Sequence, residues 1–240
     1  MKLKIVAIIS AALFLGAAGF GLANRMKYRD FNKEEAPLMQ MHSAGMSQNM
    51  LMRQIELVKD GNPEIGLLPI SECPVILAVR CEEKSTFRYH CMTQKVSVTH
   101  VFRGEGLSEG DILHLNKVGS RVWREEQGAP KVLQGTYGVN MGFVNEMIPG
   151  KTYLVFLDHK VNTYRKEAYW VFYGTGNLTP QFCYENLPNH PASLILDSAE
   201  EGTYVYYQDV ADCEFFLLTD EALLVMAEFK ESLLKEYPLP

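Results

Sequence analysis

Residues 5–23 run Ile-Val-Ala-Ile-Ile-Ser-Ala-Ala-Leu-Phe-Leu-Gly-Ala-Ala-Gly-Phe-Gly-Leu-Ala without one charge, directly behind Lys2 and Lys4. A basic start followed by such a run is a membrane-targeting signal, and it predicts that the rest of the chain works outside the cytoplasm. Two readings share the segment. Its nineteen residues approach the roughly 20 that a spanning helix needs, and Arg25, Lys27 and Arg29 follow at once. Gly21-Leu22-Ala23 also fits the small-x-small pattern of a cleavage site, which would release a chain beginning at Asn24. No cysteine lies near the run, so lipid attachment at a cleaved cysteine is excluded. A buried core helix is disfavoured by the terminal position and the flanking lysines. Residues 1–30 are therefore read as a signal peptide or signal anchor, and the membrane, through residues 5–23, is the first predicted partner.

Residues 31–70 read as a membrane-proximal stalk followed by a short helical or irregular approach, with Lys33-Glu34-Glu35-Ala36-Pro37, a methionine-rich stretch and the turn signal Gly61-Asn62-Pro63. Residues 71–218 then carry strand patterns. Val75–Val79 is a short apolar, β-branched run of the buried-strand type. In Lys95–Phe102, Val96 and Val98 share a face before the parity shifts to Val101, which predicts a bulge near Thr99-His100. The glycine-punctuated stretch 103–111 is a hairpin connection, and Leu113 and Leu115 continue one face of the next strand. Residues 117–147 lack periodicity and read as a long excursion with room for one strand. Residues 152–157 and 168–173 are strong buried strands, and 202–207 and 213–217 are strand-like. Thr219 is placed to cap a helix, with Asp220 and Glu221 in its first turn. Leu223, Leu224, Met226, Phe229, Leu233 and Leu234 recur at helical spacing, so residues 219–240 are read as a C-terminal helix packed on the sheet.

The order and wording of these strands carry a resemblance. Val-Phe-Arg-Gly at 101–104, Gly110-Asp111-Ile112-Leu113-His114-Leu115, and Gly150-Lys151-Thr152-Tyr153-Leu154-Val155-Phe156-Leu157 are similar to a bacterial extracytoplasmic family. That family has a domain like the small barrel of the tissue inhibitors of metalloproteinases, an oligonucleotide/oligosaccharide-binding (OB) type of Greek-key β-barrel. The resemblance covers roughly residues 72–175 and implies a mainly β fold: an OB-like barrel with extra strands and a C-terminal helix. Arg103 stands where the family has lysine, and Leu115 where it has valine. The inhibitors chelate the protease zinc through a cysteine at the mature N-terminus. Here Cys73, the cysteine nearest the first strand, follows a long N-terminal stretch, so that mode of inhibition does not carry over. A shared fold is not a function.

The remaining residues bound the chemistry. The net charge is −6 with the signs interspersed, so no basic stripe exists for nucleic acid. Five cysteines, at 73, 81, 91, 183 and 213, form no Cys-x-x-Cys pair; outside the cell they predict disulfides, Cys81–Cys91 across a polar loop and Cys183–Cys213. Met39, Met41, His42, Met46 and Met50 gather thioethers and an imidazole, a donor set for Cu(I); the plainer reading is adaptable apolar surface. If that stretch is helical, Met39, His42, Met46 and Met50 share a face. His90, His100, His114 and His159 lack metal-ligand spacing. The aromatics of Tyr169–Tyr173, with Tyr204, Tyr206 and Tyr207, either line a sugar- or peptide-binding face or form core pairs. No Gly-x-Ser-x-Gly or His-Glu-x-x-His occurs. The expectation is a membrane-tethered or secreted binding module without catalytic activity, its partner a cell-envelope protein or surface glycan. The alternatives are a copper-handling protein using the methionine stretch and an enzyme with an unrecognised site.

Overall fold

The computed structural model describes residues 2–27, 38–40, 48–88, 91–118, 120–123, 137–140, 142–161, 167–175, 177–189, 204–206, 210–217 and 219–240. The chain order is α1 (Lys2–Lys27), β1 (Leu38–Gln40), α2 (Gln48–Asp60), β2 (Val75–Cys81), β3 (Thr86–Arg88), β4 (Cys91–Arg103), β5 (Ile112–Val118), β6 (Ser120–Trp123), β7 (Tyr137–Asn140), β8 (Thr152–Val161), β9 (Ala168–Phe172), β10 (Gln181–Cys183), β11 (Tyr204–Tyr206) and α3 (Asp220–Glu236).

Five strands close into a barrel. Going round, β2 pairs with β4, β4 with β5, β5 with β9, β9 with β8, and β8 again with β2. Every pairing is antiparallel except β5 with β9, which is parallel. β10 adds an extra strand to β8, and β3 pairs with the start of β4. Closure removes the free edges that an open sheet of this size would expose.

β4 makes closure feasible because it serves two partners along its length. Cys91–Ser97 pairs with β5, and Val96–Arg103 pairs with β2. The register skips Thr99, with Ala78 opposite His100 and Val79 opposite Val98, so the bulge lies where the parity shift predicts. A second irregularity skips Phe102.

Alternation divides the side chains of β2 and β8 between two cores. Leu77, Val79, Cys81, Tyr153, Val155 and Leu157 point into the barrel with Val96, Val98, Leu113 and Leu115. Ile76, Leu154 and Phe156 point outward and are buried beneath α2 and α3, together with Phe182 of β10. α2 brings Leu51, Ile55 and Val58, spaced four and three residues apart on one helical face. α3 brings Ala222, Met226, Phe229 and Leu233. Phe229 meets Phe182 edge to face at 5.6 Å. Full burial of each such side chain contributes about 1.5–3 kcal/mol.

The N-terminus of α3 forms as the sequence predicts: Thr219 Oγ1 accepts from Ala222 N at 3.2 Å, ahead of Asp220 and Glu221. Its buried face is rotated from the expected one. Leu224 is 65% exposed, and Leu223 and Leu234 are only partly buried. α2 arises within the segment read as stalk and approach, where its apolar face joins the same core. Residues 213–217, expected as a strand, contribute an isolated bridge from Phe215 to Val144. The excursion supplies two strands rather than one: β6 pairs with β7 in a second sheet ordered β11-β1-β7-β6.

α1 turns the N-terminal apolar run into a helix whose described side chains, residues 9–23, are all exposed. Among the described residues, no helix is long and apolar enough to cross a membrane.

Candidate functional site

One end of the barrel is closed by residues 142–148, whose backbone is held by side chains from the surrounding strands. Gln94 of β4 grips the peptide unit of Met147 from both sides: its Nε2 donates to Met147 O at 2.7 Å, and its Oε1 accepts from Met147 N at 2.8 Å. Lys117 of β5 donates to Val144 O, and Gln181 of β10 donates to Asn145 O. Asn145 in turn donates through Nδ2 to Cys213 O at 2.7 Å and Ala211 O at 3.1 Å. Gly142 starts the segment with φ +73°, against Asn177 O, where a Cβ would collide with backbone.

Burial perturbs the ionisable groups here. Desolvation lowers Lys117 to about 7, against the weaker opposing field of Glu146. Glu146 is pushed up by burial, only partly offset by a hydrogen bond from Ser85 and by Lys117. Next to this end, Glu214 Oε2 receives Lys230 Nζ of α3 at 2.6 Å, and Oε1 receives Cys183 N at 2.7 Å. Burial raises Glu214 against the pull of Lys230. Each of these groups bonds to backbone or to a neighbouring element, so each fastens the scaffold.

The cysteines follow the same pattern. All five are thiols rather than the expected disulfides. The register explains this for Cys81–Cys91. Cys81 lies opposite Val96, five residues along β4 from Cys91, or about 17 Å at the usual rise per residue. A bridge needs Cα atoms about 4.4–6.8 Å apart. The short strand β3 fills the intervening loop and faces Cys91 instead. Cys183 and Cys213 are both buried; Cys183 lies opposite Tyr153, and Cys213 Sγ approaches Asp212 Oδ1 at 3.9 Å. Cys73 Sγ donates to Leu157 O at 3.3 Å, and desolvation raises its thiol to about 11 and that of Cys81 to about 12. Such buried thiols are unreactive at neutral pH.

The proposed copper donors are not gathered by the described backbone. Met39 lies in β1, paired with Val205 and Val139, whereas Met50 lies in α2, so no single helical face joins them. Met41, His42 and Met46 lie outside the described residues, as does His90. Among the described residues, no three His, Cys, Asp or Glu side chains are grouped to hold a metal ion.

The outer face of β4, β5 and β9 is built differently. Register sets Lys95, His114 and Tyr169 in one row across the three strands, and Thr93, Asn116 and Val171 in the next. His114 and Tyr169 stack with ring centroids 4.9 Å apart and planes 24° apart. Thr93 Oγ1 donates to Asn116 Oδ1 at 2.7 Å. The row ends at Glu83, which accepts from Lys95 Nζ at 2.8 Å; this exposed pair raises Lys95 and lowers Glu83. Glu82 accepts from Ser97 beside it. Of the aromatic run, Tyr169 belongs to this outer face, while Trp170 and Phe172 pack toward the barrel interior. Tyr204 and Tyr206 lie in β11, and Tyr207 is outside the described residues. His100 and His159 each meet an exposed carboxylate, Glu109 at 3.0 Å and Asp158 at 2.9 Å.

Comparison with protein-family models and with curated proteins gives no match.

Proposed function

We propose that the chain is an extracytoplasmic, membrane-tethered binding module without catalytic activity, built on an OB-type barrel like that of the tissue inhibitors of metalloproteinases. The strand circuit supports the OB assignment: counting the barrel strands in chain order gives 1-2-3-5-4-1, with strands 3 and 5 parallel. The exposed apolar residues of α1 support the tether. The observation that carries the binding reading is the row of Lys95, His114 and Tyr169 on the outer face of strands that no described helix covers.

A surface glycan fits this face best. Aromatic rings offer flat apolar area for the C–H faces of a sugar, and Thr93, Asn116 and Lys95 offer hydrogen bonds to its hydroxyls. OB-type barrels bind oligosaccharides on the equivalent strands. The perturbed groups at the barrel end bond to the scaffold, so the reading assigns them no chemistry.

The test is a screen of the full-length protein in lipid nanodiscs against an array of bacterial surface glycans. The same screen is run with the double variant His114→Ala, Tyr169→Ala. Binding that falls at least tenfold in the variant is the expected result. Undiminished binding by the variant, or no glycan bound by either protein, refutes the assignment.

A further inference from the structure

Two large apolar side chains stand exposed at one turn: Ile65 is 68% and Leu68 48% accessible. The turn that carries them is closed on itself. Asn62 N donates to Leu67 O at 2.6 Å and Leu67 N returns to Asn62 O at 2.9 Å, making a small antiparallel bridge. Asn62 also caps the 3-10 turn Pro63–Ile65 by accepting from Glu64 N at 3.0 Å, and Gly66 ends it in the left-handed region. Gly61, at φ +74°, leaves no room for a side chain: a Cβ there would lie 2.6 Å from Leu67 O and Pro69 N.

The turn is also fastened from below. Tyr173 Oη ties the two flanks of the turn together, reaching Val58 O in α2 at 3.1 Å and Leu68 O just after the turn. Leu67 packs against the core under α2 and α3, which leaves Ile65 and Leu68 on the outside. An apolar tip held this firmly has its exposure built in.

Resting on the tether reading above, we propose that this tip rests in the interfacial layer of the bilayer that α1 enters. The occupant follows from the number of residues between α1 and β1. Ten residues, 28–37, separate the end of α1 from β1. Fully extended they reach about 35 Å. The domain is therefore confined beside the membrane at high effective concentration, where two side chains suffice although they would not recruit a free protein. Asp60 and Glu64 flank the tip and oppose anionic headgroups, so apolar burial provides the contact.

The experiment places a photo-crosslinking residue, p-benzoylphenylalanine, at one position at a time in the full-length chain. The protein is reconstituted in phosphatidylcholine nanodiscs. Leu15, Ile65 and Leu224 are replaced in turn, and covalent lipid adducts are read by mass. Leu224 is as exposed as Ile65 but lies on α3, so it reports random encounter. Adducts at 15 and 65, with at least fivefold fewer at 224, are the expected result. Adducts at 15 alone, or equal yields at 65 and 224, overturn the docked tip and leave the tether standing. No adduct at 15 overturns the tether, and the docked tip with it.

Discussion

The two sides of the barrel wall use alternating strand residues for opposite ends. On the side of β2, β8 and β10, outward positions are Ile76, Leu154, Phe156 and Phe182, and two helices bury them. On the side of β4, β5 and β9, outward positions include Lys95, Asn116, His114 and Tyr169, held by pairwise contacts within the face itself. The first side is apolar on both surfaces and so contributes to two cores. The second is apolar only inward, as an antiparallel sheet with one wet face should be. Stability is concentrated on the covered side, and the open one is freer to vary in sequence.

The sharpest test of that division is Phe229→Ala. It removes a ring lodged between α3 and Phe182 and should cost about 3–5 kcal/mol in denaturant unfolding. A loss below 1 kcal/mol would mean that the helices contribute little to the barrel.

The next probes the boundary between the two sides, the barrel end. Lys117 has its folded value, about 7, below its usual 10.5, so between these limits the unfolded chain binds one more proton than the folded one. Stability then rises with pH, by about 1.4 kcal/mol per unit for one proton. The usable window is pH 7 to about 9. Above it, Cys73 and Cys81, raised from their usual 9.0, work in the opposite direction. Lys117→Met should remove this slope in unfolding curves taken across the window, and an unchanged slope would show the amine to be hydrated.

Tyr169→Ala should have the smallest effect. Its stacking contact with His114 is half-exposed, so thermal unfolding should move by no more than about 1 kcal/mol. A cost near that of Phe229→Ala would erase the distinction between the two sides.

The strands were legible in the sequence wherever burial left a periodic mark. Val96, Val98 and Val101 show the bulge directly, because a residue inserted into an alternating pattern displaces every later side chain. Thr219 was legible because capping is local chemistry. β10 was not: Gln181-Phe182-Cys183 is too short for a period, and its place depends on pairing with β8. α2 stayed open between helix and irregular chain, although Leu51, Ile55 and Val58 carry the helical spacing. The disulfide expectation failed because β3 lengthens the path between Cys81 and Cys91, and loop polarity does not report register. The row of Lys95, His114 and Tyr169 had no sequence signature, since it joins the neighbouring strands β4 and β5 to β9, far along the chain.

The parallel pairing of β5 with β9 also sets an order of assembly. Leu113 meets Ala168, a partner that leaves the ribosome long after it. β2, β4 and β5 can zip together as neighbours, but they remain an open sheet with an unpaired margin until β8 and β9 arrive. α3, which follows every barrel strand in the chain, then covers Phe156 and Phe182. A nascent chain halted before residue 219 should therefore hold a closed barrel whose apolar flank is covered by α2 alone, the kind of intermediate that chaperones retain.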